Sequence, residues 1–376
     1  MKHNSIIVID FSHLSSRMLY VAVSQAHPKK KNGKFITSDF VKYYKHLIFN
    51  SLQSVNTKFK GDIIIAMDGR DNWRKKFYPL YKAHRAKDRD KSEINFAEYY
   101  EELDKVANAL ENYFPYKVIK VDEAEADDIA GVISNTYGNE MNITLVTSDH
   151  DWQQVQAEND LITFFDPIKR LEIEISADMQ EIIDTPEGKM SRFTVIHTLL
   201  GDDGDNVPGV VKYTEFSDSF ISFLKENGIY DVSVKNFHKL SMADELLQKF
   251  DVYKVVKSGK KKGQFSDIKD IYKTKAFGKV KAEKVSQNSE TLNKFLDSDE
   301  MYRDNFKRNA VLVDFNKIPK FVEEKILQEY KTKNNLAKNN KILEYFINEG
   351  LGEMVQKVHL FYGDSDESSL DDFLEW

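Results

Sequence analysis

The stretch Glu123-Ala124-Glu125-Ala126-Asp127-Asp128 opens an acidic segment that passes the apolar run Ile143-Thr144-Leu145-Val146 and closes at Thr147-Ser148-Asp149-His150-Asp151. On a helix, Glu125 and Asp128 are three residues apart and share a face. Asp149 and Asp151 follow a short apolar strand, at the end where open α/β sheets place their binding sites. Close carboxylates repel one another, and a hard divalent cation is the usual means of neutralising them. An acidic helix start in solvent, followed by an Asp-rich turn, is the alternative for this segment alone.

Acidic residues follow three further apolar runs. Ile6-Ile7-Val8-Ile9 ends in Asp10, and Ile63-Ile64-Ile65-Ala66-Met67 ends in Asp68. Leu199-Leu200-Gly201 leads into Asp202, Asp203 and Asp205. One acidic residue after a strand is common, but several at one predicted sheet edge are difficult to explain as surface solvation. Together they predict an oxygen-rich site for two Mg²⁺ or Mn²⁺ ions.

This ordered set of motifs resembles the 5′ nuclease (flap endonuclease) family. The residues that carry the resemblance are Ile9-Asp10-Phe11-Ser12, Met67-Asp68, Glu125-Ala126-Asp127-Asp128, Ser148-Asp149-His150-Asp151 and Gly201-Asp202-Asp203-Gly204-Asp205-Asn206-Val207. The resemblance extends to Asn309–Phe315 and Ile318-Pro319, and it thins out over 211–277 and after 361. It implies a 5′ to 3′ exonuclease and flap endonuclease, with ribonuclease H activity, that removes RNA primers and 5′ flaps during phage DNA replication.

The alternation of strand and helix patterns predicts an α/β fold with a mostly parallel sheet. The resemblance implies a PIN-like, Rossmann-like nuclease domain with a helical arch, then a helix-three-turn-helix DNA-binding module and C-terminal helices. The expected boundaries are 1–188 for the nuclease domain with its arch at about 70–95, 189–301 for the DNA-binding region, 302–360 for the helical region and 361–376 for an acidic tail. We also expect a capping box at Asn95 and Glu98, and helices around a short Val311–Val313 segment.

The resemblance also implies the roles of individual acids. Four are expected to hold mainly the first metal ion: Asp10, Asp68, Glu125 and Asp127. Three are expected to hold mainly the second: Asp149, Asp151 and Asp205. Asp128 and Asp202 are expected to orient metal-bound waters. The metals would position water for in-line attack on the phosphodiester and stabilise the leaving oxygen.

Composition excludes several classes. The 376 residues contain no cysteine, which excludes disulfides, thiolate zinc sites and thiol catalysis. No apolar run approaches the roughly 18 residues of a membrane span. A soluble monomer in the host-cell cytoplasm is expected.

The net charge of −7 argues at first against a nucleic-acid partner. Basic charge is nevertheless segregated, because Arg70–Lys91 holds nine Lys/Arg against three Asp. Aromatic residues interleaved with cations suit a single strand, since bases stack on rings and cations meet phosphates. The resemblance places the arch here, with Lys82 and Arg85 beside the scissile phosphate as catalytic residues. Arg74, Lys75, Lys76 and Tyr81 are expected to contact nucleic acid, and an ordinary amphipathic helix is the alternative.

A glycine-rich turn around Gly204 and Gly209 is expected to approach duplex phosphates through backbone amides. The second turn of such a module is expected at Gly278, Lys279 and Lys281, displaced by a long insertion at about 211–277. That departure puts a monovalent-cation site in doubt. Tyr253–Lys284 holds eleven Lys against three acids, so the insertion is expected either to bind DNA or to be a solvated loop.

The C-terminal tail places large apolar side chains after an acidic linker. These are Leu370, Phe373, Leu374 and Trp376. The pattern resembles clamp-binding peptides of phage replication enzymes, so a sliding clamp is the expected partner; folding back on the protein core is the alternative. The other expected partners are branched or nicked DNA and RNA-DNA hybrids with a free 5′ end, and a single-strand DNA-binding protein.

Two rival functions stay open at this point. A PIN-type ribonuclease shares the acidic sheet edge, but it lacks the long arch and the Gly201–Val210 hairpin. A non-catalytic, structure-specific DNA-binding protein is disfavoured because all seven expected metal-ligand positions are Asp or Glu.

Overall fold

The computed structural model describes residues 5–211, 213–230, 246, 272–275, 278–333 and 339–362. Most of the Lys-rich insertion and the tail residues Leu370, Phe373, Leu374 and Trp376 lie outside the described residues. By residue contacts the chain divides into two compact units, the first comprising 1–195, 203–207 and 310–376 and the second comprising 196–202 and 208–309. The described residues after 309 fall in the same unit as the central sheet.

Strands and helices alternate along most of the described residues. The strands are β1 Ser5–Asp10, β2 Lys30–Lys31, β3 Lys34–Phe35, β4 Asp62–Met67, β5 Tyr116–Lys120, β6 Asn142–Val146, β7 Ile162–Asp166, β8 Leu171–Ile173, β9 Ile182–Thr185, β10 Gly188–Ser191, β11 Tyr213–Phe216 and β12 Tyr272–Lys275. The central sheet has the order β5-β4-β1-β6-β7-β8, and only β8 runs antiparallel to its neighbour. The expected mostly parallel α/β sheet is confirmed.

The described residues form sixteen α-helices of four residues or more. They are α1 Phe11–Ala26, α2 Val41–Lys58, α3 Trp73–Phe77, α4 His84–Lys91, α5 Phe96–Tyr113, α6 Ala126–Tyr137, α7 Gln153–Glu158, α8 Ala177–Gln180, α9 Arg192–Leu200, α10 Asp218–Glu226, α11 Lys279–Val285, α12 Ser289–Leu296, α13 Glu300–Val313, α14 Lys320–Thr332, α15 Asn339–Asn348 and α16 Gly352–Gln356. Among the helices of the described residues, none has the length and apolar character needed to cross a membrane.

Both faces of the central sheet are buried. Successive side chains of a strand point to opposite faces, so Ile7 and Ile9 of β1 join one hydrophobic core whereas Ile6 and Val8 join the other. The first core also contains residues of α1, α2, α5 and the C-terminal helices α15 and α16. The second contains residues of α6 and α14. Burial on both faces explains the near-continuous apolar runs of β1 and β4.

Two local expectations were wrong. Asn95 precedes α5, but its side chain makes no capping hydrogen bond; the capping box forms instead at Glu125 and Asp128, at the start of α6. Val311–Val313 is not a separate segment, because it completes the helix α13.

In the second unit, the turn after Leu200 is fastened by polar side chains of α13. Asn309 donates hydrogen bonds to the carbonyls of Thr198 and Pro208, at 3.0 and 2.8 Å. A Cβ atom at Gly209 would lie 2.6 Å from the carbonyl oxygen of Leu200, so only glycine fits this close approach.

Candidate metal centre

Asp10 ends β1 at the carboxyl edge of the sheet and is 4% exposed. Its Oδ1 accepts a hydrogen bond from the backbone N–H of His13, and its Oδ2 accepts one from the hydroxyl of Thr147, both at 2.9 Å. Burial raises the pKa of Asp10 to about 7; the His13 hydrogen bond opposes this shift, and repulsion by Asp68 and Asp149 adds to it. A cation beside Asp10 would therefore relieve an unfavourable buried charge.

Asp68 is carried by a loop that interlocks with the segment preceding α6. The backbone N–H of Gly69 donates to the carbonyl of Ala124 at 2.8 Å, and the N–H of Trp73 donates to the carbonyl of Glu123 at 2.9 Å. A Cβ atom at Gly69 would lie 1.8 Å from the carbonyl oxygen of Val121, so the two loops could not interlock with a larger residue there. Asp68 Oδ1 accepts the backbone N–H of Ala126 at 2.9 Å, which holds this carboxylate at the start of α6.

Asp127 points from α6 towards the end of β6. Its Oδ1 accepts a hydrogen bond from the indole N–H of the buried Trp152 at 2.7 Å. Burial raises the pKa of Asp127 well above its ordinary value; attraction by Lys82 opposes this, and repulsion by Asp149, Glu125 and Asp10 adds to it. Asp127 therefore belongs to the same cluster of carboxylates as Asp10 and Asp149.

The segment after β6 turns tightly. Asp149 caps the 3-10 turn His150–Trp152, where its Oδ1 accepts the backbone N–H of Asp151 at 3.0 Å. The N–H of Asp149 in turn donates to the hydroxyl of Thr147 at 3.0 Å. Thr147 thus contacts both Asp10 and Asp149 and fixes their relative position.

Glu125 is the N-cap of α6, and its carboxylate contacts Lys82, Arg74 and the Tyr81 hydroxyl. Lys82 Nζ lies 2.6 Å from Glu125 Oε1, and the Tyr81 hydroxyl lies 2.9 Å from Glu125 Oε2. The positive charges of Lys82 and Arg74 hold the pKa of Glu125 at about 2, although burial acts in the opposite direction. Glu125 is therefore ionised at neutral pH.

The turn at 203–207 brings Asp205 beside Lys82 and Arg85. Lys82 Nζ lies 3.3 Å from Asp205 Oδ2, and Arg85 Nη2 lies 2.6 Å from Asp205 Oδ1. The backbone N–H of Lys82 donates to the carbonyl of Asp205 at 2.8 Å, and Asn206 Nδ2 donates to the carbonyl of Leu80 at 2.8 Å. Lys82 and Asn206 have positive φ angles, of 52° and 59°, which are uncommon for residues other than glycine. The backbone is therefore strained in both segments that meet at Asp205.

The donor set fits a hard divalent cation, because it consists of carboxylate oxygens whose charges are only partly compensated. Within the described residues, however, no three acidic or histidine side chains already have the geometry of a metal site. The side chain of Lys82 is one reason for the missing metal geometry, because its ammonium lies between the carboxylates of Glu125 and Asp205. The structure brings Asp10, Asp68, Glu125, Asp127 and Asp149 to one sheet edge, with Asp151 on the same turn as Asp149. Asp202 belongs to the second compact unit.

Three sequence expectations need correction. Asp128 is completely buried, and its oxygens contact Arg74 at 2.8 Å, the Trp73 indole N–H at 3.2 Å and the Glu125 backbone N–H at 2.8 Å. It therefore has no oxygen directed towards a metal-bound water. Arg74 is 1% exposed and Tyr81 is 3% exposed, so neither side chain is available to nucleic acid in this conformation.

Other expected nucleic-acid contacts lie at the surface. Lys75 and Lys76 are exposed on α3, and Lys76 pairs with Glu123. Gly204 offers its carbonyl to Arg85 at 3.4 Å. In the second unit, Gly278 is the N-cap of α11, and Lys279 and Lys281 lie in its first turn.

Sequence reasoning missed Thr147, Trp152 and Asn206. A hydroxyl between a strand end and an Asp, as in Thr147-Ser148-Asp149, is a usable signal, because such a hydroxyl can bond a neighbouring carboxylate. Trp152 and Asn206 had no comparable signal, because no local pattern indicates that their side chains bond Asp127 and the carbonyl of Leu80.

The chain is similar in sequence to known nucleases. The family model "5′-3′ exonuclease, N-terminal resolvase-like domain" matches residues 5–185, and the model "T4 RNase H, C terminal" matches residues 247–361. Ribonuclease H of Enterobacteria phage T4 is 24% identical over 363 residues, which are 95% of this chain and 95% of that protein. DNA polymerase I of Streptococcus pneumoniae is 27% identical over 235 residues, which are 61% of this chain but only 24% of the polymerase.

Solved structures of T5 proteins are also similar. The T5 5′-exonuclease with bound divalent metal ions (zinc) has a TM-score of 0.48 and 14% identity, covering 88% of this chain and 99% of that one. The T5 D15 protein co-crystallised with metal ions has a TM-score of 0.45 and 16% identity, covering 86% and 97%. The two family models, together with a phage relative that aligns along nearly its whole length, show that this chain belongs to the 5′ nuclease family, as a phosphodiesterase of the 5′-3′ exonuclease type.

Proposed function

We propose that this nuclease uses two Mg²⁺ or Mn²⁺ ions to remove RNA primers and 5′ flaps during phage DNA replication. The observation that carries the metal requirement is the cluster of carboxylates at one sheet edge, where Asp10, Asp127 and Asp149 repel one another. The name of the phage T4 relative, ribonuclease H, supports RNA as part of the substrate. The proposed substrates are branched or nicked DNA and RNA-DNA hybrids with a free 5′ end.

The residues that would hold the ions come from five segments. One ion would be held by Asp10, Asp68, Glu125 and Asp127, and the other by Asp149, Asp151 and Asp205. Bound divalent ions supply a nucleophilic water at neutral pH and stabilise negative charge on phosphate oxygens. Thr147 and Trp152 keep the carboxylates of Asp10 and Asp127 in fixed orientations through hydrogen bonds of 2.9 and 2.7 Å.

The base of the arch would act on the substrate. Lys82 and Arg85 carry positive charge at the acidic cluster, and Arg85 is half-exposed, so its guanidinium can reach a phosphate in solvent. Once released from Glu125 and Asp205, the two cations would stabilise the charge that develops on the scissile phosphate. Exposed Lys75 and Lys76 would contact the strand leading to the cut.

Duplex binding is assigned to the second unit, through backbone amides near Gly209 and Gly278 and through Lys279 and Lys281. The carboxyl-terminal Leu370, Phe373, Leu374 and Trp376 are proposed to bind a sliding clamp, and a single-strand DNA-binding protein is proposed as a further partner. These two partner proposals rest on sequence alone.

A single assay tests the proposed function. A 5′-labelled flap duplex, with either RNA or DNA in the flap, is incubated with the protein in Mg²⁺ or in EDTA. We expect Mg²⁺-dependent release of short 5′ products. Binding of the flap without cleavage in any divalent metal would instead support the non-catalytic DNA-binding protein, and cleavage of single-stranded RNA alone would support a PIN-type ribonuclease.

A further inference from the structure

Arg74 and Asp128 form a buried ion pair directly behind the carboxylate cluster. Their side chains are 2% and 0% exposed, and Arg74 Nη1 lies 2.8 Å from Asp128 Oδ1. The guanidinium also lies over the ring of Trp73, 4.6 Å from its centroid. Burying two charges is costly, and apolar residues of similar volume often stabilise a protein at least as well. The pair therefore calls for an explanation other than stability.

The contacts of Arg74 supply that explanation, because they join three segments of the first unit. Its Nε donates to the carbonyl of Leu312 at 2.9 Å, and its Nη1 lies 3.4 Å from Glu125 Oε2. Asp128, in turn, accepts the backbone N–H of Glu125 at 2.8 Å. Glu125 is thus held through its side chain and its backbone by the same ion pair.

The charge of Arg74 matters as much as its shape. Without it, the carboxylate of Asp128 would remain buried only three residues from Glu125, with no cation at its side. Two like charges that are close and buried repel, and Glu125 would be displaced. Lys82 contacts Oε1 of Glu125, whereas Arg74 contacts Oε2, so Lys82 does not replace Arg74.

We propose that Arg74 is a positioning residue for metal binding: anchored by the Leu312 carbonyl, it neutralises Asp128 and fixes Glu125 at the start of α6. The inference rests on the proposed metal dependence. It assigns a role to a residue that the sequence places among nucleic-acid contacts. It also makes the end of α13 part of the support of the metal centre.

Two variants test the proposal, each measured by calorimetric Mn²⁺ titration without DNA and by thermal unfolding. Arg74→Lys keeps the charge but cannot contact Asp128, Glu125 and the Leu312 carbonyl together. We expect about tenfold weaker Mn²⁺ binding, which is typical when a residue that supports a metal ligand is replaced. Cleavage should recover at high Mg²⁺, whereas DNA affinity in EDTA should stay at the wild-type value.

The double variant Arg74→Met/Asp128→Leu separates positioning from stability. It removes both buried charges, so folding should be preserved. Glu125 loses the guanidinium at Oε2, where only the Tyr81 hydroxyl remains, and its backbone N–H loses the Asp128 acceptor. We expect a melting temperature near that of the wild type with weakened Mn²⁺ binding. Lys325→Met is the matched control, because Lys325 pairs at 2.5 Å with Glu123 on the same segment, outside the carboxylate cluster.

Two failures are distinguishable. If wild-type protein neither binds Mn²⁺ nor cleaves the flap in Mg²⁺, the proposed function itself fails. If the wild type does both and the folded variants bind Mn²⁺ with wild-type affinity, only the positioning role is overturned. A defect of Arg74→Lys that lies wholly in DNA affinity would also overturn it and return Arg74 to the substrate contacts.

Discussion

Replacing Lys82 should change metal affinity and catalysis in opposite directions. The ammonium lies 2.6 Å from Glu125 and 3.3 Å from Asp205, and the side chain is 13% exposed. Divalent ions that bind these two carboxylates must displace it. A hydrogen bond to a charged group contributes about 1.5–3 kcal/mol net, which is about ten- to a hundredfold in affinity. Because Tyr81 and Arg85 keep their contacts with Asp205, the lower end of that range applies.

The assay is a Mn²⁺ titration of Lys82→Met, which keeps the aliphatic stem and removes the charge. We expect about tenfold tighter binding than in the wild type. Cleavage of a 5′ flap at saturating metal should nevertheless be slower, and duplex affinity should change less than the rate, because the cation is needed at the transition state. Lys325→Met should leave the titration unchanged. Unchanged or weaker Mn²⁺ binding by Lys82→Met would refute the competition between the ammonium and the metal.

The remaining predictions concern the other charged groups and the tail. Asp149→Asn and Asp205→Asn should each keep flap binding and lose most cleavage; near wild-type cutting in Mg²⁺ would remove that residue from the metal ligands. Burial raises the pKa of Asp10 from 3.8 to about 7, so its contribution to stability is full below the unfolded value and is lost as pH rises through 7. The melting temperature of the metal-free protein should therefore fall over that window, and less so in Asp10→Asn; equal pH profiles would contradict this. Neutralising several lysines in 254–275 should flatten the salt dependence of DNA binding, and an unchanged slope would mean a solvated loop. Deleting 368–376 should spare cleavage of a flap oligonucleotide but abolish stimulation by a loaded clamp; equal stimulation of both proteins would exclude clamp binding.

The parts of the site that could be predicted from sequence are those that depend on strand ends. Asp10, Asp68 and Asp149 follow apolar runs, and parallel strands have their carboxyl ends at one sheet edge, so the three carboxylates had to approach one another. The pattern carried no information about which partner each oxygen accepts. Thr147 bonds Asp10 across 137 positions of the chain, and such a contact is set by packing.

Local propensity failed where packing overrode it. The valines at 311 and 313 favour strands, yet they complete α13, where Val311 packs against the second core and Leu312 against Tyr81 and Val207. Asn95 is a favoured N-cap, but its side chain makes no capping bond. The capping box of the described helices forms at the start of α6, between Glu125 and Asp128.

The basic residues of the segment 70–95 differ in burial, and the sequence does not indicate which of them are buried. Its cations look equivalent as a charge run, yet their burial separates them into different chemical roles. Arg74 is enclosed with Asp128, so releasing it would leave a buried charge unpaired, and it stays fixed. Lys82 is only partly buried, and a divalent ion that binds the same carboxylates can compensate for its loss. Lys75 is exposed and can meet a phosphate without breaking a protein contact of comparable strength. A single segment thus supplies a support, a displaceable counterion and a substrate contact, in order of increasing exposure to solvent.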